Sequence, residues 1–272
     1  MAAHQWGSCG WQLPGLEVKV FSAESQDSGK MVECPRARTL DENDEAYHGE
    51  ICLRGRSIMM GYMACPGFGP EHAADIEKRN ANAIDANGWF HTGDKGLITW
   101  QGMIRITGRY KELIIGEGGE NIAPVAIEDA VKAACDGIAD VMMVGDGRKY
   151  NVALVTLKAV GANGEVPGTD RLESGAKRVN PDVSTISEAM GDASWIAAIT
   201  AAITEANKDG KVCPNNASKI QKFTILPSNF SEEGGEMTPT KKLKRKVVEA
   251  KYMQTIDRMY VSAGTYVRYQ DT

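Results

Sequence analysis

Gly108-Arg-Tyr-Lys-Glu-Leu-Ile-Ile-Gly-Glu-Gly-Gly-Glu-Asn121 marks the place where the chain changes character. Before it, apolar and polar residues alternate, which is the period of a strand with one buried face. Leu16-Glu-Val-Lys-Val-Phe21, Glu50-Ile-Cys-Leu-Arg54 and Met103-Ile-Arg-Ile-Thr107 all read this way. Gly- and Pro-rich stretches, Cys65-Pro-Gly-Phe-Gly-Pro70 and Asp85-Ala-Asn-Gly88, punctuate them. Short strands with that punctuation suggest a small, β-rich, distorted barrel or sheet.

After the quoted stretch the period lengthens. Glu112-Leu-Ile-Ile115 is a short apolar run, and Pro124 opens a helical pattern in which Val125, Ile127, Val131 and Ala134 can share a face. Two strands follow, Asp140 to Val144 and Asn151 to Leu157, with Asp146-Gly147 between them as a hairpin signal. Residues 161–191 are rich in Gly, Asn, Asp and Pro and read as an irregular excursion. Ser194 can cap a helix running to Asn207, with Trp195, Ile199 and Ile203 on its apolar stripe. Lys222 to Leu226 is a last strand and Val247 to Tyr260 a last helix. The expectation is a mixed α/β protein: a β-rich part over 1–108, then a separate small α/β domain over 109–272, with the boundary at 109–111.

Composition narrows the class. The chain has 272 residues, 42% apolar and 25% charged, which is enough to bury a core and too apolar for wholesale disorder. A net charge of -5 gives no global basic field for nucleic acid. Cys9, Cys34, Cys52, Cys65, Cys135 and Cys213 form no CxxC pair, and none stands near a His at zinc-ligand spacing. Neither a zinc site nor a disulfide framework is expected; the thiols read as reduced, mostly buried and cytosolic. No apolar run approaches the ~18 residues of a membrane span. Met1-Ala-Ala-His-Gln-Trp6 lacks the basic-then-apolar pattern of a signal peptide.

Three segments can carry chemistry. Gly88-Trp-Phe-His-Thr-Gly-Asp94 presents a carboxylate on a loop that could accept hydrogen bonds from vicinal hydroxyls, as acidic residues do on ribose; alone it reads rather as a polar turn between strands. In the opening stretch Arg109 offers a planar set of donors, and Gly118 and Gly119 allow a ligand to approach the backbone; alone these are a surface ion pair and a glycine turn. Gly234-Gly-Glu-Met-Thr-Pro-Thr-Lys-Lys-Leu-Lys-Arg-Lys246 leads a flexible segment into a Lys run that could bring an ammonium to a phosphate. The same run could be a solvated helix face, an import signal or an anionic-lipid patch.

In this order and spacing, the segments resemble the later motifs of the AMP-forming, adenylate-forming acyl-CoA synthetases, closest to the bubblegum-type long-chain fatty acyl-CoA synthetases. The resemblance also takes in Gly10-Trp-Gln-Leu-Pro-Gly-Leu-Glu-Val-Lys19, Gly49-Glu-Ile-Cys-Leu-Arg-Gly55 with Met60-Gly-Tyr62, Thr156-Leu-Lys158 and Thr185-Ile-Ser-Glu188, and so covers nearly the whole chain. It implies a two-step ligase: a fatty carboxylate attacks the α-phosphate of ATP, and coenzyme A then displaces AMP. By resemblance, Asp94 and Arg109 bind the nucleotide ribose, and Lys111 is the hinge of a mobile C-terminal domain. Gly118, Gly119, Glu120 and Asn121 line the coenzyme A path. Lys244 is the catalytic Lys, with Lys242 its alternate. The implied cofactors and substrates are ATP/AMP, Mg2+, a fatty acid and coenzyme A, and the implied location is cytoplasmic, at most peripheral to membranes.

Two departures are local. The turn Thr99-Trp-Gln-Gly102 keeps only the Gly of the family's acidic-Gly pair, and Ala123 stands where relatives tend to carry Pro. A third is larger: the family's phosphate loop and its magnesium-binding Glu segment match nothing in these 272 residues, so the magnesium ligand is expected elsewhere and no metal ligand is assigned here. The expectation is a ligase seen in part, joined to a missing N-terminal half and inactive alone. The alternatives are a non-catalytic nucleotide- or CoA-binding remnant or protein-interaction module, and a membrane-surface module built on Lys241 to Lys246.

Overall fold

A computed structural model describes residues 5–22 and 31–270. The chain divides into two compact units, Met1–Lys111 and Glu112–Thr272.

The first unit is built on an antiparallel sheet of β1 (Gly10–Trp11), β2 (Leu16–Phe21), β3 (Gly49–Gly55), β4 (Phe90–Ile98) and β5 (Met103–Arg109). Its order is β1-β5-β4-β3-β2, so chain neighbours β1 and β2 form opposite edges. The connection from Trp11 to Leu16 reaches at most ~17 Å, whereas four strand spacings amount to ~19 Å; the sheet therefore has to curl. It does not close, which corrects the distorted-barrel expectation. Among the described residues β1 is two residues long and pairs with β5 alone, so the β1 and β2 edges stay unjoined. Side chains alternate across the sheet: Val18, Val20, Ile51 and Ile98 gather in one cluster, Leu97 and Met103 in another.

Between β3 and β4 lies a helix that the strand reading of this third missed, α1 (Gly69–Ala83). Pro70 in its first turn and the helix formers that follow explain it. Ile76 is its one buried residue, so no apolar stripe betrays its period.

The second unit has a three-stranded sheet. β8 (Ile138–Val144) runs antiparallel to β9 (Asn151–Leu157), and β10 (Ile220–Ile225) lies parallel to β9 on its other side. Every residue of β9 is buried, as a central strand covered on both faces requires. Ala153 and Val155 join a core with Ile127, Val131, Trp195, Ile199 and Phe223. Val152 and Leu154 point the other way, to Met142, Phe230, Val248 and Ile256. The first core packs α2 (Pro124–Ala134) and α4 (Ala193–Lys208), and the second packs α5 (Arg245–Lys251) and α6 (Met253–Val261); a single-turn α3 (Ile186–Ala189) ends the irregular excursion. A two-stranded ribbon, β6 (Ile114–Ile115) with β7 (Asn121–Ile122), stands apart and holds the turn 116–120.

Three local expectations need correcting. The buried face of α2 is Pro124, Ile127, Glu128 and Val131, while Val125 and Ala134 are exposed. Asp192, not Ser194, caps α4: its carboxylate accepts the Trp195 N–H at 2.9 Å. The last helical stretch is two helices, because the chain departs from helical geometry at Tyr252, whose ring is buried in the second core.

Candidate functional site

Asp94 and Arg109 face each other as register partners on β4 and β5. The Arg109 Nε donates to Asp94 Oδ1 at 2.9 Å, and among the described residues Asp94 Oδ2 accepts no hydrogen bond. Asp94 belongs to a strand, not to a free loop, and an irregularity presents it. The β3–β4 register shifts between Glu50 and Cys52, and Gly93 adopts a φ of 71°, a value that favours glycine. Each peptide of the turn is tied down. Gly93 N–H donates to Glu50 Oε1 at 2.9 Å; Asp94 N–H donates to Thr92 Oγ1 at 3.0 Å; the Thr92 hydroxyl donates to the Ile51 carbonyl at 2.6 Å. The result is a half-buried carboxylate with a second oxygen available and a guanidinium alongside, an arrangement suited to two adjacent hydroxyls.

Lys111 lies in a single 3-10 turn, Tyr110–Glu112, at the division between the units. Tyr110 beside it is half-buried, and burial pushes its phenol well above the usual value, so it stays protonated.

In the second unit, Gly118 and Glu120 line a cleft of about 350 Å³ with Gly116, Glu117, Ile122, Arg148, Lys149, Tyr150, Asn151 and Ala217. Gly119 stands at φ 85° and closes the turn by donating to the Gly116 carbonyl at 2.9 Å; Asn121 pairs with Ile115 in the ribbon. Arg148 is steadied over the Tyr260 ring and paired with Asp257 at 2.8 Å. An open, part-apolar cleft whose wall carries two cations, Arg148 and Lys149, and two carboxylates, Glu117 and Glu120, can hold an extended, polar ligand.

Lys244 is elsewhere in this unit, and no contact joins it to that cleft among the described residues. It is exposed at the N-cap of α5, and its N–H donates to the Glu236 carbonyl at 2.7 Å. The preceding turn is closed by the Lys241 N–H on the Thr238 carbonyl and by an isolated bridge from Met237 to Leu243. Lys242, the alternate, is exposed in the same turn and donates its N–H to Thr238 Oγ1 at 3.0 Å.

Two anchors of this segment escaped the sequence reading. Arg245 makes a two-pronged pair with Glu128, at 3.0 and 2.7 Å, and also donates to the Met143 carbonyl at 2.7 Å. Glu236 is buried and pairs with Lys251. A Glu at an inward position of α2 was the available signal, since carboxylates are seldom buried without a partner. A third cluster also went unseen. Cys52 and His91 are 39 residues apart in sequence but register partners across β3 and β4, with Sγ 3.5 Å from Nδ1. Spacing along the chain therefore misjudged the chance of a cysteine meeting a histidine.

The AMP-binding enzyme C-terminal domain family matches residues 111–190. The long-chain-fatty-acid–CoA ligase ACSBG2 of Gallus gallus is 44% identical over 84% of this chain and 29% of its own length. The ligase ACSBG1 of Homo sapiens is 40% identical over 91% of this chain and 33% of its own. The chain thus spans about a third of the curated relatives it matches. Among solved structures, the adenylation domain of a carboxylate reductase from Mycobacterium chelonae aligns with 93% of this chain and 32% of its own, at a TM-score of 0.63 and 18% identity. The corresponding domain from Segniliparus rugosus, in complex with AMP and a co-purified carboxylic acid, aligns with 91% of this chain and 32% of its own, at 0.60 and 18%. These last two show the fold.

Proposed function

Since the chain belongs to the AMP-forming acyl-CoA synthetase family, in its bubblegum-type branch, we propose that it is the C-terminal portion of a long-chain fatty acid–CoA ligase. The observation that carries this reading is the Asp94–Arg109 pair, held across two strands with one carboxylate oxygen available. In the proposed reaction a fatty carboxylate attacks the α-phosphorus of ATP, and pyrophosphate leaves. The thiol of coenzyme A then attacks the acyl carbon, and AMP leaves.

Asp94 and Arg109 hold the ribose hydroxyls. Lys244, exposed at the N-cap of α5 just after a braced turn, approaches the phosphate and carboxylate as negative charge gathers there; a placed donor of this kind contributes roughly 3–4 kcal/mol. The cleft at Gly118 and Glu120 takes the pantetheine arm, with Arg148 and Lys149 toward its phosphates. Lys111 is the hinge by which the second unit serves the two half-reactions in turn. Magnesium and the ATP triphosphate depend on residues outside this chain. The enzyme is proposed to be cytoplasmic.

The test measures palmitoyl-CoA formed from palmitate, ATP, Mg2+ and coenzyme A. The chain is assayed alone and joined to the N-terminal portion of a bubblegum-type relative. Product from the joined protein, cut about 10²–10³-fold by Lys244→Ala, is the expected result. Lys244-dependent product from the chain alone would place the phosphate site within these residues. Absence of product from a folded, joined protein would overturn the reading.

A further inference from the structure

We propose that Glu50, Cys52 and His91 form a binding site for a divalent cation of the zinc class. The proposal does not depend on the ligase reading. Among the described residues, these three side chains are the one such group whose ligand atoms all lie within 4.8 Å of one another.

The fold explains the convergence. Glu50 and Cys52 are two apart on β3 and so share a face, and His91 is the register partner of Cys52 on β4. Glu50 and Cys52 are buried, while His91 is part-exposed and gives an ion a way in. The His91 Nδ1 stands 3.5 Å from Cys52 Sγ. A tetrahedral ion with sulfur at about 2.3 Å and nitrogen at about 2.05 Å separates those two atoms by about 3.5 Å. Nδ1 also lies 2.8 Å from Glu50 Oε2, the length of a hydrogen bond. An ion replacing that proton needs the pair to open to about 3.3 Å, a small side-chain adjustment.

The surroundings supply the second observation. The other ring nitrogen, Nε2, faces Asp85 Oδ2 at 3.8 Å. Asp85 is fixed by its other oxygen, which accepts the N–H groups of Asn87 at 2.9 Å and Trp89 at 2.8 Å. At 3.8 Å Asp85 does not hydrogen-bond the ring, but its charge favours a proton on Nε2, which leaves the near nitrogen as a lone-pair donor. Glu50 is oriented in the same manner, because its Oε1 holds the Gly93 N–H.

Charge balances as well. A dication with one thiolate, one carboxylate and a neutral imidazole is neutral, so little charge is left buried. Binding releases the thiol proton to solvent, the Nδ1 proton gives way to one on Nε2 so that the imidazole stays neutral, and a fourth position remains for water. The donor set of one sulfur, one nitrogen and one oxygen favours zinc-class ions over magnesium or calcium, which prefer all-oxygen shells. An ion here would pin the turn that presents Asp94.

The experiment is a Co(II) titration of the 272-residue chain, followed by displacement with Zn(II). One equivalent should bind and give the near-ultraviolet sulfur-to-cobalt charge-transfer band, which Zn(II) then removes. Cys52→Ser should abolish the band, and His91→Gln should weaken affinity at least tenfold. Asp85→Asn should weaken it about tenfold with the band retained, as loss of an orienting partner does. Cys34→Ser, at another buried thiol, should change nothing. A wild-type chain without the band, or a band that survives Cys52→Ser, overturns the proposal. If Cys52→Ser does not fold, His91→Gln decides: unchanged affinity in that folded variant overturns it equally.

Discussion

Arg245 sits next to Lys244 and spends its guanidinium inward. It meets both oxygens of the buried Glu128 and a carbonyl of β8, and Glu128 in turn accepts the Met143 N–H at 2.6 Å. A carboxylate so enclosed is tolerable only because its partner is there. Arg245→Ala is therefore expected to cost about 3–5 kcal/mol, read as a fall in the urea midpoint. Arg245→Lys should restore only part of it, since an ammonium cannot match the two-pronged geometry. A loss below about 1 kcal/mol would show that the pair is a surface ornament of the fold. His48 makes the corresponding argument for the first unit. Burial, together with Lys95 and Arg105, outweighs the Glu42 carbonyl and Glu45 and lowers the imidazole below its usual value. The folded state thus binds that proton less well than the unfolded chain. Its stabilising share is complete above about pH 6.5 and is lost as pH falls through the folded value. Thermal unfolding followed from about pH 7 to about pH 5 should show a falling midpoint. His48→Gln should flatten that fall, and an equal slope in the variant would remove His48 from the account.

At the scale of elements, the turn from Thr238 to Lys242 carries strain. Lys241 is the one described non-glycine residue with positive φ, at 58°. That conformation costs on the order of 1–3 kcal/mol, and the hydrogen bonds of Thr238 and the bridge from Met237 to Leu243 hold it in place. Lys241→Gly should raise the thermal midpoint or leave it unchanged, and Lys241→Val should lower the equilibrium unfolding free energy by about 1–2 kcal/mol. Equal effects of both substitutions would mean that the backbone bears no strain there. The same element shows what periodicity can miss. The Lys run reads as one cationic stripe in sequence, yet the structure divides it: Lys244 and Lys246 are exposed, while Arg245 turns inward. A helix stripe found by apolar period has no means to register a polar residue that is buried because it is paired.

For the whole molecule, the two units have separate cores. The second gathers two large clusters on the two faces of β9, with Trp195, Phe223 and Phe230 fully buried. At ~1.5–3 kcal/mol for each fully buried large apolar side chain, this is a core of domain size. Residues 112–272 expressed alone should therefore unfold in a single cooperative transition by calorimetry. A broad transition without a heat-absorption peak would show that this unit depends on the other. The chain itself already determined much: strand segments came from alternation, α4 and its apolar stripe from a 3.6 period, and Asp94 and Arg109 were singled out by motifs whose order identifies a family. Those signals are local, because side-chain direction repeats with the backbone's own period. What only the tertiary structure decided lies in contacts between distant residues. The open edge of the sheet depends on which strands find partners, the Glu128–Arg245 pair on two elements 117 residues apart, and the Glu50–Cys52–His91 cluster on the register between β3 and β4. Strand register and helix packing are chosen by the sum of burial over the fold, and no window of sequence contains that sum.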